Sequence, residues 1–175
     1  PAPDRRSPPP VAMVDAALDI LEAAERPVVF AGGGALFSGA QEEVRQFAAM
    51  LQVPVLANAK ARGIVPEWSD FGGGQFALAS IAANAGGGPA DVVLLLGTRV
   101  GMFTGTGPRS FIPPGARVIQ VDIEPEEIGR GRDVDVALVG DVRETLTLMM
   151  DRARGRQFKD HTPWVKALGA TKKAL

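Results

Sequence analysis

The sequence predicts a three-layer α/β fold, helices on both faces of a mostly parallel sheet, on three observations. Two runs, Val92-Val93-Leu94-Leu95-Leu96 and Arg117-Val118-Ile119-Gln120-Val121-Asp122, lie between glycine and proline breakers. Runs of this kind, with little polar alternation, mark strands buried on both faces. Similar runs alternate along the chain with stretches at helical spacing, the βαβ pattern. The chain also carries 21 glycines, above the usual share of about 7%, and they fall mainly at strand ends.

In chain order, residues 1–10 are a proline-rich leader with Asp4, Arg5 and Arg6, expected to be an extended linker with a further segment before it. Val11, Val14, Leu18 and Leu21 form one helical stripe that ends near Pro27. Val28-Val29-Phe30-Ala31 reads as a short buried strand closed by Gly32-Gly33-Gly34. A helix begins near Gly39 with Val44, Phe47, Ala48 and Leu51 on its apolar face, and a second strand covers 53–57. Residues 58–70 read as a long loop, Phe71 opens a weak third strand, and 75–85 form an alanine-rich helix. After the two strands described above, 124–129 read as a short helix with acids in its first turn. Val136-Ala137-Leu138-Val139 is a sixth strand, and Asp141-Val142-Arg143-Glu144 has the capping-box pattern of a last helix. From Arg152 the chain turns basic and polar. Residues 155–175 are expected to be a C-terminal linker or docking segment, with residues 11–154 as one domain.

Composition narrows the function. With 46% hydrophobic and 22% charged residues and a net charge of −1, the chain offers no basic surface for nucleic acid or membrane. No apolar run approaches the ~20 residues of a bilayer span, and there is no signal peptide, so a cytoplasmic protein is expected. Cysteine is absent, which removes disulfides, thiolate metal sites and thiol nucleophiles. The one histidine, His161, lies in the polar tail, which argues against a serine–histidine–aspartate triad.

In an open parallel sheet, ligands bind beyond the carboxyl ends of the strands. Arg99 and Asp122 stand at two such ends, a guanidinium that can stack on a flat ring and a carboxylate that can accept from a ribose. Taken singly, Arg99 reads as an exposed strand-end arginine and Asp122 as a turn former before Pro125; only together, at adjacent strand ends, do they point to a nucleotide site. Gly32, Gly33 and Gly34 occupy the place of a phosphate-binding turn, yet Phe37 replaces the third glycine of a dinucleotide fingerprint and no acid ends the second strand. The glycines also read simply as a tight strand-to-helix turn. Asp141 has a sufficient role as a helix cap, and Lys60 and Arg62 fall in a long loop that reads as solvated, although both could meet phosphates. Met102 and Phe103, within a glycine- and threonine-rich loop that includes Thr106, suggest a face turned toward another domain.

The segments Arg26-Pro27-Val28-Val29, 91–97 with Arg99, 118–128 with Asp122-Ile123-Glu124-Pro125-Glu126, and Gly140-Asp141-Val142 occur in an order that resembles the central domain of thiamine-diphosphate-dependent enzymes. The resemblance is to the acetohydroxyacid synthase, benzaldehyde lyase and oxalyl-CoA decarboxylase group, and it runs from about Arg26 to Met150. It implies a six-stranded Rossmann-like sheet of order 3-2-1-4-5-6. It also implies that the positions matching the FAD or ADP site of nucleotide-binding members are Gly32, Gly33, Gly34, Asn58, Ala59, Gly72, Gly97, Thr98, Arg99, Asp122, Ile123, Gly140, Asp141 and Val142.

Benzaldehyde lyase-like members keep the domain without a nucleotide. The stretch Gly101-Met102-Phe103-Thr104-Gly105 lacks the acidic pair and acceptor-gating arginine of acetohydroxyacid synthases and is closer to the benzaldehyde lyase pattern. By the same resemblance, thiamine diphosphate and magnesium belong to flanking pyrimidine- and diphosphate-binding domains of a parent homodimer or homotetramer. Gly140-Asp141 is followed by Val142 where the diphosphate motif needs glycine. The chain alone is therefore expected to be non-catalytic, with no catalytic or metal residue of its own. The parent reaction would be decarboxylation of 2-oxo acids or acyloin C–C ligation or cleavage. The competing readings are a scaffold domain without nucleotide and a stand-alone nucleotide-binding protein of the electron-transfer-flavoprotein type.

Overall fold

A computed structural model describes residues 6–66, 68–102, 104–105 and 107–175. Asp4 and Arg5 of the leader, and Phe103 and Thr106 of the loop, lie outside the described residues. The sheet has six parallel strands in the order β3-β2-β1-β4-β5-β6. They are β1 (Pro27–Ala31), β2 (Val55–Ala57), β3 (Gly72–Gly74), β4 (Val92–Leu96), β5 (Arg117–Asp122) and β6 (Val136–Val139). The helices are α1 (Val11–Ala23), α2 (Gly33–Phe37), α3 (Gln41–Leu51), α4 (Ala77–Ala82), α5 (Val142–Ala153) and α6 (Thr162–Lys173).

Successive side chains of a strand point to opposite faces, and this sorts the core into two layers. Val29, Ala31, Leu94, Leu96, Ile119, Val121 and Leu138 join the buried faces of α1, α3 and α5. Val28, Phe30, Leu56, Val93, Leu95 and Val118 meet α4 and α6 on the other side. Phe30 stacks on Phe76 there, with ring centroids 4.4 Å apart. Every residue of β1 and β4 is buried, which accounts for their unbroken apolar sequence.

Several elements differ from the expectation. The glycine turn after β1 coils into the five-residue α2, and the following helix starts at Gln41. The alanine-rich helix stops at Ala82 and passes into a wide turn, Ala83–Gly87, in which Gly86 takes φ 95°. The short helix after β5 is a single 3-10 turn, Pro125–Glu127. Of the leader, residues 6–10 carry no helix or strand; Pro9 is buried, and the Ser7 carbonyl accepts from the Asp141 amide at 3.0 Å. That contact takes the place of the returning half of the capping box, since the Asp141 amide already has a partner.

The largest difference lies in the tail. Residues 155–175 carry α6, whose Trp164 and Leu168 close the second core layer. His161 is buried rather than in solvent, at 1% exposure, with its ring nitrogens 2.8 Å from the Leu51 carbonyl and 3.1 Å from that of Ala24. The segment before it is clasped to α1 by Arg152 on Asp15 and Arg156 on Asp15, Asp19 and Glu22. The hydrogen bond from Arg152 holds the Asp15 carboxyl below its usual range.

Candidate functional site

The strand order reverses between β1 and β4, and both strands end at one edge of the sheet. That switch point is where an open α/β sheet forms its ligand crevice. Two turns meet there. The Gly34 amide donates to the Gly97 carbonyl at 3.0 Å, and the Gly32 amide to the Leu96 carbonyl at 2.9 Å. A Cβ on Gly34 would stand 2.7 Å from the Gly97 Cα, and one on Gly97 would stand 2.5 Å from the Gly34 Cα. Gly32 likewise has no room for a side chain beside Thr98. Gly32, Gly34, Gly97 and Thr98 are thus brought into backbone contact, and their glycines are required by that crossing whatever the crevice holds. Gly33 faces the other way, with the Lys60 Cδ 3.3 Å from where its Cβ would be.

Lys60 is placed by Asn58, whose Oδ1 accepts from the Lys60 and Ala61 amides and caps the 3-10 turn Ala59–Ala61. Asn58 and Ala59 line a small cavity of about 130 Å³ with Arg62, Ile64 and Gln75. They therefore flank the glycine crossing on the β2 side.

On the other side, Arg99 follows β4 and Asp122 ends β5. Arg99 is 70% exposed and its Nη1 lies 3.3 Å from the Glu127 Oε1. Asp122 accepts from the Glu124 amide at 3.1 Å, the turn-forming bond of an aspartate. Ile123 beside it is 58% exposed. Met102, in the loop after Arg99, is 88% exposed. That loop is held from within by Thr104, whose hydroxyl accepts from the Gly101 amide at 2.8 Å.

Two groups of predicted residues are engaged elsewhere. Gly72 belongs to the edge strand β3, where its carbonyl accepts from the Lys172 Nζ at 3.0 Å. It lines a separate groove of about 820 Å³ with Trp68, Pro54 and α6. Gly140 is covered by the leader, the Ser7 carbonyl standing 2.9 Å from where its Cβ would be. The Asp141 Oδ1 accepts from the Ser38 hydroxyl and from the Arg143 and Glu144 amides, at 2.9, 3.0 and 3.1 Å. Asp141 thus caps α5, and Val142 is the buried first residue of that helix.

Glu127 did not stand out in the sequence. The signal that points to it is Gln120, the one polar residue inside an otherwise apolar run. Gln120 is fully buried, and its amide must find partners. It donates to the Glu127 carbonyl and accepts from the Gly129 amide, both at 3.0 Å, and so fixes the turn that carries Glu127. Among the described residues, no group of three or more histidine, cysteine, aspartate or glutamate side chains could hold a metal ion. No helix among them is long and apolar enough to cross a membrane.

Comparisons with known proteins agree with this architecture. Residues 14–149 match the family described as thiamine pyrophosphate enzyme, central domain. The chain is 31% identical to a probable acetolactate synthase large subunit of Methanocaldococcus jannaschii over 158 residues, covering 90% of this chain and 27% of that protein. It is 32% identical to oxalyl-CoA decarboxylase of Escherichia coli over 154 residues, 86% of this chain and 26% of that one. A solved putative thiamin diphosphate-dependent enzyme from Mycobacterium smegmatis superposes with a TM-score of 0.67 at 26% identity, covering 86% of this chain and 29% of that chain. The chain therefore spans about 27% of the length of curated relatives it matches. With the family matched over most of its length and the strand order in place, the chain belongs to the central-domain family of thiamine pyrophosphate enzymes.

Proposed function

We propose that this chain is the structural centre of a thiamine-diphosphate-dependent enzyme, and that its switch-point crevice takes an adenine nucleotide, ADP or FAD. The observation that carries the reading is the convergence at one sheet edge of the Gly32–Gly97 crossing, Lys60, an exposed Arg99 plane and Asp122. A guanidinium face suits a flat base, a carboxylate suits ribose hydroxyls, and an ammonium suits a phosphate. Asn58 and Ala59 border the same crevice. Thiamine diphosphate and magnesium do not fit the residues here, because the Asp141 Oδ1 is committed to three donors as a cap. They belong to other domains of the parent, a cytoplasmic homo-oligomer acting on 2-oxo acids or acyloins, where the cofactor carries the C–C chemistry.

Calorimetric titration of the chain with ADP and with FAD tests the site. Micromolar binding is expected, lost in Arg99→Ala and in Asp122→Ala. No binding of either nucleotide would leave the domain as a scaffold, a reading favoured by the way the glycines pack on each other without help. The chain supplied with pyruvate, thiamine diphosphate and magnesium is expected to show no turnover of the oxo acid. Measurable decarboxylation or acetolactate formation would overturn the assignment of the chemistry to other domains.

A further inference from the structure

The nucleotide site turns on an arginine that is exposed but not free. Arg99 is 70% exposed, whereas the carboxylate beneath it, Glu127, is only 16% exposed. The acid is the fixed member of the pair. Its turn is held by buried Gln120 from two sides and begins at Pro125, with the Glu127 amide donating to the Glu124 carbonyl at 3.1 Å. Arg99, a long side chain on a loop, comes to it. Arg130 meets the same Oε1 at 3.3 Å, so two guanidinium groups share one oxygen. The other oxygen, Oε2, is buried and has no hydrogen-bond partner among the described residues.

We infer that Glu127 is the positioning residue of the crevice. It is shared between Arg99 and Arg130 and holds the Arg99 guanidinium plane in place as a seat for a flat ring, with Oε2 kept for a second Arg99 N–H when that ring is in place. The inference rests on the nucleotide reading above and names the residue that holds Arg99 in place. A paired guanidinium still offers its flat face to a base. The second N–H would turn the present single contact into the forked pairing that arginine and carboxylate prefer.

The test uses the whole chain with ADP and adenosine as probes, and reads the Nε–H resonances of its arginines by NMR. Glu127→Gln keeps the shape and removes the charge. It is expected to weaken ADP and adenosine alike by about tenfold, through loss of the ion pair that orients Arg99. Glu127→Asp keeps the charge with a shorter reach and should stay within about threefold. In the Gln variant the Arg99 Nε–H signal should move to the position of free arginine. That of Arg152, paired with Asp15 on the other face, should stay where it is. A merely structural role would shift stability without this selective change. Unchanged nucleotide affinity or an unmoved Arg99 signal in Glu127→Gln overturns the inference alone. Failure of the unsubstituted chain to bind either probe overturns both it and the nucleotide reading.

Discussion

Gly97→Ala is expected to destabilise the nucleotide-free chain by about 3 kcal/mol, the upper end of the cost of forcing extra volume into packed structure. The new Cβ would lie 2.5 Å from the Gly34 Cα and 2.7 Å from the Ala35 amide nitrogen, so it strikes backbone that has no rotamer by which to withdraw. Neither turn can move away. Gly97 accepts from the Gly34 amide and donates to the Val121 carbonyl at 2.9 Å, which ties it to α2 and β5 at once. Its φ of 55° adds a second penalty, because a side chain disfavours that conformation. Gly101→Ala is the control, since nothing lies within 4 Å of its Cβ and its backbone is not left-handed. Urea unfolding should separate the two, with the control within about 0.5 kcal/mol of the unsubstituted chain. The double variant with Gly34→Ala should cost less than the sum, because one crossing can be sprung only once. A loss below about 1 kcal/mol for Gly97→Ala would mean that the crossing has slack, and the glycines would then need a ligand to account for them.

That crossing shows where a sequence stops being legible. Gly32, Gly33 and Gly34 announce a turn, but the partner that makes two of them obligatory stands more than sixty residues later. Nothing local links the two. Val92–Leu96 could be read because a strand buried on both faces needs an apolar run, whereas α2 could not, because five residues with two glycines carry no periodicity. β3 has only glycines, and its reality depends on the edge of β2, where Val55 pairs Gly72 and Leu56 pairs Gly74. At the site, Arg99 and Asp122 were readable from the strand-end rule. Glu127 was not, because its orientation follows from the amide of Gln120 meeting a turn seven residues on. Asp141 was readable as a cap, but its bond to the Ser38 hydroxyl, which ties α2 to α5, needs the fold to be seen.

The tail is the other place where charge hid structure, and Trp164→Ala measures how much of the fold rests on it. The basic, polar stretch after Arg152 suggested a linker or docking segment; Trp164 is 3% exposed and lies among Val28, Ala82 and Leu168 in the second core layer. Its indole Nε1 donates to the Pro27 carbonyl at 2.9 Å, satisfying the first carbonyl of β1. Removing the ring leaves both a cavity and an unpaired buried acceptor, and the expected loss is about 4 kcal/mol. Trp164→Phe separates the two effects. It keeps most of the apolar volume and loses the N–H, so its expected cost is about 1–2 kcal/mol. The match to the family stops at residue 149, so a tail that merely rides on the domain predicts little effect from either change. Equal and small losses, below about 1 kcal/mol, would make residues 155–175 a passenger on a core complete without them. Losses in the expected order would instead place the end of the folding unit beyond α5, at the helix that covers Val28, Phe30 and Val93. The same helix then carries a consequence for the crevice. β1 is held at its start by Trp164 and reaches the glycine crossing at its end, so a loosened α6 should also weaken ADP binding although it touches none of the proposed ligand positions around Arg99.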